Sequence, residues 1–391
     1  MEARIISDAQ LWDDFVASSQ CCNVTQSFEW GQLAPQRGDD AVLPIGVVDS
    51  DGKLCAAMLV IVGRAPVLHT PYFYAPRGPV IENPDSPAMT VLLNYVKAEA
   101  RKRHAFMLKV EPSVQAGDEV WLTALRQRGF RVNPHFMHPR HEWVVDIRPD
   151  EKTLLANMKE KWRYNIRLAG RKGVTVRKGE GQTDFYAFYR IYETTSTRDQ
   201  FFIHNKAFYQ EVLRLFARDS HAAPLVPTDN DAPASSFAQQ VGAALFLAEY
   251  EGQPIAGTIV LYMGRWSWYM YGASANEQRE RMPNHLLQWT GIQWAREHGC
   301  WYYNFRGIPD VLEEGQELWG VYLFKRGFGG YPLRFLETHD LVYQPLVYEA
   351  YRRLLDVKHW REERQRKKQL QPQDKQNTQN PEPSVKAGEK R

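Results

Sequence analysis

The chain has 391 residues, too many for one ordinary domain and a good match to two of about 160–180 residues each. Its 43% hydrophobic and 13% aromatic content supplies two packed cores, and no apolar run reaches the ~18 residues that would cross a membrane. Net charge is +3, but residues 361–391 carry nine basic and five acidic side chains, so the body before them is close to neutral and gives no bulk-charge argument for nucleic acid.

The opening residues lack the basic-then-apolar pattern of a secretory leader. The four cysteines, Cys21, Cys22, Cys55 and Cys300, show neither Cys-x-x-Cys spacing nor a disulfide framework. Both features lead to the expectation of a reducing, cytoplasmic location.

Along the chain, Asp8 caps a predicted helix with Leu11, Trp12 and Phe15 on one side. Residues 47–61 read as a hairpin turning at Gly52, followed by a proline-rich link at 70–81 and a helix over 87–102. A buried strand at 105–110 is closed by Pro112; a helix at 119–128 and a strand at 142–147 follow. The spacing then predicts one helix over 153–171, a strand from Gly173, and helices at 183–195 and 206–218. Residues 220–240, rich in Ala, Pro, Ser and Asp, read as a loop or disordered insert. A hairpin turning at Gly252 leads to a strand at 266–271, a helix at 283–298, a strand at 300–305, the 324–335 segment and a last helix at 341–358. The tail beyond about Glu363 is expected to be disordered.

The hairpin turns Gly52 and Gly252 lie about 200 residues apart, and three further pairs keep nearly that offset in the same order. These are Tyr72-Phe-Tyr-Ala with Tyr269-Met-Tyr-Gly, His104 with His298, and Arg128-Gly-Phe with Arg326-Gly-Phe. Four ordered matches point to an internal duplication. Each half reads as antiparallel hairpin, strand, helix, strand, then helix or loop and a final strand. That is the order of an N-acetyltransferase-like (GNAT-like) α/β unit, with helices on both faces of a mostly antiparallel sheet. Twin units create a cleft, where substrates bind.

A GNAT-like unit raises the question of acyl-CoA, which needs a glycine-rich turn whose backbone N–H groups hold pyrophosphate. Residues 274–285 contain no glycine, two glutamates and a proline, and residues 81–88 are no better. The expectation is acyl transfer with a different donor. Local positive charge is densest at 159–178, with eight Lys/Arg against one acid. Lys159, Arg163, Arg167 and Arg171 recur every four residues, with Trp162 and Tyr164 interleaved. This is either a solvated amphipathic helix or a site for phosphates.

Arg77, held between prolines in Tyr74-Ala-Pro-Arg-Gly-Pro, suits a fixed guanidinium for phosphate or carboxylate, or else a bridge between the two domains. Glu111, at a strand end, is either a cleft-facing carboxylate or a surface group. Asn304-Phe-Arg306-Gly and Phe324-Lys325-Arg-Gly-Phe-Gly-Gly complete the candidates. A lysine desolvated against Phe324 would act strongly on a developing oxyanion. His135, His138 and His141 read as loop residues rather than metal ligands.

These segments together resemble the Fem-type (FemABX) peptidyltransferases, from about Gln26 through Leu341. The resemblance rests on Tyr74-Ala-Pro-Arg-Gly-Pro, Lys161-Trp-Arg-Tyr-Asn-Ile-Arg, Tyr269-Met-Tyr-Gly-Ala-Ser, Leu287-Gln-Trp, Asn304-Phe-Arg-Gly and Phe324-Lys-Arg-Gly-Phe-Gly-Gly. It implies two tandem GNAT-like domains without a coiled-coil arm: 1–147 plus 337–362, then 148–336, with 363–391 as a basic tail. It implies transfer of an amino acid from aminoacyl-tRNA to an amine of a peptidoglycan-precursor stem peptide. The precursor would be UDP-linked or lipid-linked, the protein a monomer, and peripheral contact with the inner membrane face an expectation. Lys325 takes the oxyanion-stabilising position and Glu111 that of a strand-end carboxylate usually Asp in the family. Arg77, Tyr74, Phe324, Tyr271, Asn304, Arg306 and Arg37 are the expected substrate-binding residues. Arg37 stands near where some members have a phosphate-binding lysine. Lys159, Arg163 and Arg167 would bind tRNA. No metal or organic cofactor is implied. The alternatives are an acyl-CoA-dependent transferase acting on polysaccharide or lipid, and a non-catalytic protein that binds tRNA or wall precursor.

Overall fold

The computed structural model describes residues 1–217 and 241–369, so the predicted insert at 220–240 lies outside the described residues. After strand β1 (Glu2–Ile5), the Asp8 carboxylate accepts from Leu11 N at 3.0 Å and starts helix α1 (Ala9–Ser18). Short helices α2 (Phe28–Gln32) and α3 (Ala34–Arg37) precede the first hairpin, β2 (Ala41–Val48) and β3 (Leu54–Arg64). Then come β4 (Pro71–Ala75), the crossover helix α4 (Pro87–Lys102), β5 (Met107–Val110), α5 (Glu119–Gln127), β6 (Arg131–Asn133) and β7 (His141–Asp146).

The second half opens with α6 (Glu151–Asn157), α7 (Glu160–Arg171) and β8 (Val174–Lys178), followed by α8 (Gly181–Asp199) and α9 (Lys206–Leu215). The second hairpin is β9 (Val241–Tyr250) and β10 (Gln253–Met263), and β11 (Trp266–Ser274) completes the meander. Crossover helix α10 (Pro283–Glu297) leads to β12 (Tyr302–Gly307), α11 (Trp319–Arg326), β13 (Tyr331–Arg334) and β14 (Thr338–Val342).

These strands form two seven-stranded sheets, β1-β2-β3-β4-β5-β14-β6 and β8-β9-β10-β11-β12-β7-β13. Position for position the two orders correspond, which is the duplication expressed as topology. Each sheet is antiparallel except for one central parallel pair, β4 with β5 and β11 with β12, bridged by a crossover helix. The last strand of each half, however, sits in the other half's sheet. β7 lies between β12 and β13, and β14 between β5 and β6. The chain has thus joined the second sheet by His141, ahead of the expected boundary at residue 147, and Trp143 and Val145 complete the core around Tyr303 and Phe305.

One apolar cluster lies within each sheet's own layers, and a third gathers Trp12, Val16 and Leu59 from the first half with Phe188, Tyr209 and Trp268 from the second. Burying each such side chain contributes about 1.5–3 kcal/mol, so the two sheets are fused by a core of their own.

Two further expectations are corrected. The single helix predicted over 153–171 is broken into α6 and α7 at Met158 and Lys159, whose backbones are extended. The break is held by Lys159 N donating to Gly327 O at 2.9 Å and by the Arg163 guanidinium, which donates to the carbonyls of Ala156 and Met158. The helix predicted over 341–358 starts only at Pro345, since Leu341 and Val342 pair with β5. Met1–Tyr343 is one compact unit, and α12 (Pro345–Gln369) belongs to a second that starts at Gln344. Residues 363–369 are therefore helical rather than disordered; the rest of the tail lies outside the described residues.

Candidate active site

Side chains converge where the central parallel pairs of the two sheets end. Beyond β4 the chain turns through Arg77, whose backbone φ is +57°. Its guanidinium is 1% exposed, lies 4.0 Å over the Phe335 ring, and donates from Nη2 to Pro139 O at 2.5 Å and Glu142 Oε1 at 3.0 Å. Glu142, on β7, is fully buried, and its Oε2 accepts from Asn304 Nδ2 at 2.6 Å.

The pairing of β12 with β7 shifts register between Asn304 and Gly307, and this irregularity re-aims two side chains. Asn304 Oδ1 accepts from Arg306 N at 2.7 Å, and Arg306 turns its guanidinium toward Glu142. The Nη1–Oε1 separation of 3.5 Å is an ion pair without a formed hydrogen bond, which leaves Arg306 Nη1 buried and without an acceptor. Burial alone would raise the Glu142 carboxyl; Arg306, Arg77 and Asn304 hold it below the usual range.

Lys325, in the last turn of α11, enters the same cluster. It is buried and donates from Nζ to Gly307 O at 2.5 Å. Burial, with the Arg306 charge behind it, pushes the Lys325 ammonium down to about 7 against the opposing pull of Glu142. Two glycines set its position. A Cβ on Gly327 would fall 2.0 Å from the Trp162 ring, and one on Gly330, at φ +86°, would fall 2.1 Å from Val144 O. Only bare backbone lets α11 end this tightly against α7 and β7. Three cations, Arg77, Arg306 and Lys325, thus surround one carboxylate, an arrangement that favours further negative charge.

Next to this cluster is a second one built on Glu111, the residue after β5. Glu111 accepts from Tyr74 Oη at 2.6 Å, Met137 N at 2.6 Å, Thr338 Oγ1 at 3.0 Å and His138 N at 3.2 Å. His138 Nδ1 lies 2.5 Å from Tyr74 Oη and 3.3 Å from the carboxylate. Burial would raise Glu111, but His138, Met137 N and Tyr74 overcome it and hold the carboxyl at about 2. A carboxylate so fully engaged is a weak proton acceptor. Burial pushes the His138 imidazole below its ordinary value in spite of Glu111.

Tyr271 and Arg37 stand apart from these residues. Tyr271 is half-buried in a wall of rings with Tyr209 at 4.9 Å and Phe208 at 6.3 Å. Burial and Tyr209 push its phenol up, while the charges of Arg306 and Arg37 act the other way. Arg37 donates to Asp39 at 2.7 Å and to Trp30 O at 3.1 Å, and its Nη2 is buried without an acceptor. Phe324 packs its ring on His285 and Phe328, and its carbonyl accepts from Trp162 Nε1 at 2.9 Å. The desolvation of Lys325 therefore arises from its buried place beside Gly307.

Lys159, just before α7, and Arg167, on it, are exposed, and the Lys159 ammonium lies 5.8 Å over Trp162. Arg163 is instead occupied at the α6 carbonyls. No group of described residues could hold a metal ion.

The FemAB family model matches residues 8–120, 122–241 and 228–355. The chain belongs to the FemAB family. A lipid II:glycine glycyltransferase of Staphylococcus aureus (strain MRSA252) is 23% identical over 390 residues, covering 86% of this chain and 92% of that protein. The crystal structure of FemX superposes with a TM-score of 0.78 at 21% identity, covering 90% of this chain and 100% of FemX. A conserved protein of Bacteroides thetaiotaomicron VPI-5482 matches with a TM-score of 0.53 at 13% identity, over 86% of this chain and 98% of its own. The FemX match shows the same mixed α/β architecture of two GNAT-like halves.

Two residues central to these clusters escape the sequence reading. Glu142 falls on its predicted strand without a role, although a carboxylate among Trp143, Val144 and Val145 marks a buried charge that needs a partner. His138 reads as a loop residue. Its ring pairs with Tyr74 across 64 positions of sequence.

Proposed function

We propose that this protein is an aminoacyltransferase that moves an amino acid from aminoacyl-tRNA to an amine of a peptidoglycan-precursor stem peptide. The observation that carries this reading is Lys325, buried with Arg77 and Arg306 around Glu142 where the two sheets meet. The acceptor amine attacks the ester carbonyl carbon and forms the C–N bond. Its carbonyl oxygen becomes an oxyanion, to which Lys325 as ammonium donates. The tetrahedral centre then collapses, the C–O ester bond breaks, and the amine proton leaves with the terminal ribose oxygen or passes to a tRNA phosphate. Glu111, held at about 2, is assigned the positioning of Tyr74 and His138 rather than that proton. Holding two substrates in one cleft supplies much of the rate.

Asn304, Arg306, Arg77, Tyr271, Phe324 and Arg37 are proposed to contact the acceptor, and Lys159 and Arg167 the tRNA. Charged tRNA places the reaction in the cytoplasm, where a lipid-linked acceptor faces it from the membrane. The test incubates the protein with charged tRNAs and muropeptide acceptors, nucleotide-linked and lipid-linked, and reads the added residue by mass spectrometry. Acceptors extended by one amino acid are expected. No product with any charged tRNA, together with acyl transfer from acyl-CoA, would overturn the reading.

A further inference from the structure

We propose that helix α12 lies along an anionic membrane surface, with its exposed apolar stripe turned to the lipid. At about 3.6 residues per turn, Leu346, Arg353, Leu354, Val357, Trp360 and Arg364 fall within roughly a third of the helix circumference. The four apolar members are exposed to 88%, 39%, 47% and 56% for Leu346, Leu354, Val357 and Trp360. A tryptophan at such a position, one side apolar and one side wet, is the residue type that settles at a lipid–water boundary.

Charge decides the partner. Arg353 and Arg364, on the same stripe, are exposed and make no ion pair among the described residues, and the Arg364 guanidinium lies 5.1 Å over the Trp360 ring. Their stems can lie along acyl chains while the guanidinium heads reach phosphates. The helix carries eight Lys/Arg against four Asp/Glu, and two of the acids, Glu349 and Asp356, lie 3.1 Å and 3.8 Å from Arg352. The sequence from residue 361 onward adds a net basic tail. A protein groove would want the apolar stripe without unpaired cations, and RNA the cations without Leu354 and Val357; an anionic lipid surface wants both. The helix lies on the membrane and does not cross it, since no helix of the described residues is long and apolar enough to span.

This rests on the proposed function in one respect, that a lipid-linked acceptor would be met at this surface. Vesicle binding is measured without acceptor or tRNA, so its failure and the failure of transferase activity are separate results.

Flotation of the full chain with vesicles of equal parts phosphatidylglycerol and phosphatidylcholine tests the proposal against vesicles of phosphatidylcholine alone. Binding to the anionic vesicles is expected, weaker by about tenfold or more on the neutral ones and on raising salt. Leu354→Ser with Val357→Ser and Trp360→Ser should lower anionic-vesicle binding by about tenfold or more. Arg353→Gln with Arg364→Gln, which leaves the apolar stripe intact, should remove most of the salt sensitivity. Absence of vesicle binding, equal binding to neutral vesicles, or unchanged binding by both variants would overturn the proposal. So would a loss by the arginine variant that appears with tRNA instead of vesicles.

Discussion

Arg77, beyond the end of β4, and Glu142, on β7, meet at 3.0 Å with side chains 1% and 0% exposed, so the first sheet grips the second through a sealed ion pair. The attraction is offset by the desolvation of both groups, but removing one partner leaves the other charged and dry. Arg77→Met should therefore destabilise the protein by about 3–5 kcal/mol, read by denaturant unfolding. A loss below about 1 kcal/mol would mean that Arg306 takes over Glu142 unaided.

Lys325→Met should lower turnover by about a hundredfold or more, as loss of one oxyanion donor does elsewhere (~3–4 kcal/mol of transition-state stabilisation), with little loss of stability. Lys325→Arg should recover only part of the activity, because a planar guanidinium does not fit where one ammonium reaches Gly307 O. Reduced melting temperature with full activity per folded molecule would make Lys325 structural.

The same lysine fixes a pH signature. Its folded value of about 7 lies below the ~10.4 of an unfolded lysine, so between these values the unfolded state holds a proton that the folded state has lost. Stability should rise with pH across that window, and Lys325→Met should flatten the rise. Turnover needs the ammonium and should fall as pH climbs through about 7. A rate that instead increases there would assign the neutral amine a base's role.

Glu111 has the opposite sign. Its folded value of about 2 lies below the ~4.3 of an unfolded glutamate, so its contribution is complete above the latter and is lost as pH falls toward the former. Glu111→Gln turns an amide NH2 against donors that a carboxylate satisfied, and should lower stability by about 1–3 kcal/mol while flattening the acid limb. Turnover per folded molecule should drop far less than in Lys325→Met; an equal drop would return Glu111 to the proton-transfer step.

Lys159, at the start of α7, and Arg163 and Arg167, on it, should separate. Lys159→Gln with Arg167→Gln should weaken tRNA binding and shallow its salt dependence, since a protein that neutralises fewer phosphates releases fewer counterions. Arg163→Gln should instead lower the melting temperature by uncapping α6, leaving the salt slope as it was. Identical behaviour of the two variants in both assays would show that Arg163 also reaches phosphate.

The sheet-and-helix order was legible because hairpins turning at Gly52 and Gly252 and the helix from Pro87 to Lys102 are marked by local chemistry, alternation, turn residues and helical spacing. Arg77, Asn304, Arg306 and Lys325 were legible as motifs for the same reason. What stayed hidden depends on neighbours distant in sequence. Glu142 looks like any strand residue until Arg77, 65 positions earlier, is brought beside it. The break between α6 and α7 is invisible in the 153–171 periodicity because Gly327, far along the chain, supplies the carbonyl that holds it.

The crossing of β7 and β14 into each other's sheets sets a timetable for biosynthesis. When the first half leaves the ribosome, β5 and β6 have no strand between them, and Lys109 lacks the Asp340 carboxylate that finally sits 3.1 Å away. The whole second sheet must be translated before residue 338 arrives to close the first. A nascent or prematurely terminated chain thus carries open strand edges and an unpaired interior lysine, the features that draw chaperones and proteases. Quality control can read from this one gap whether the chain was completed through its last strand.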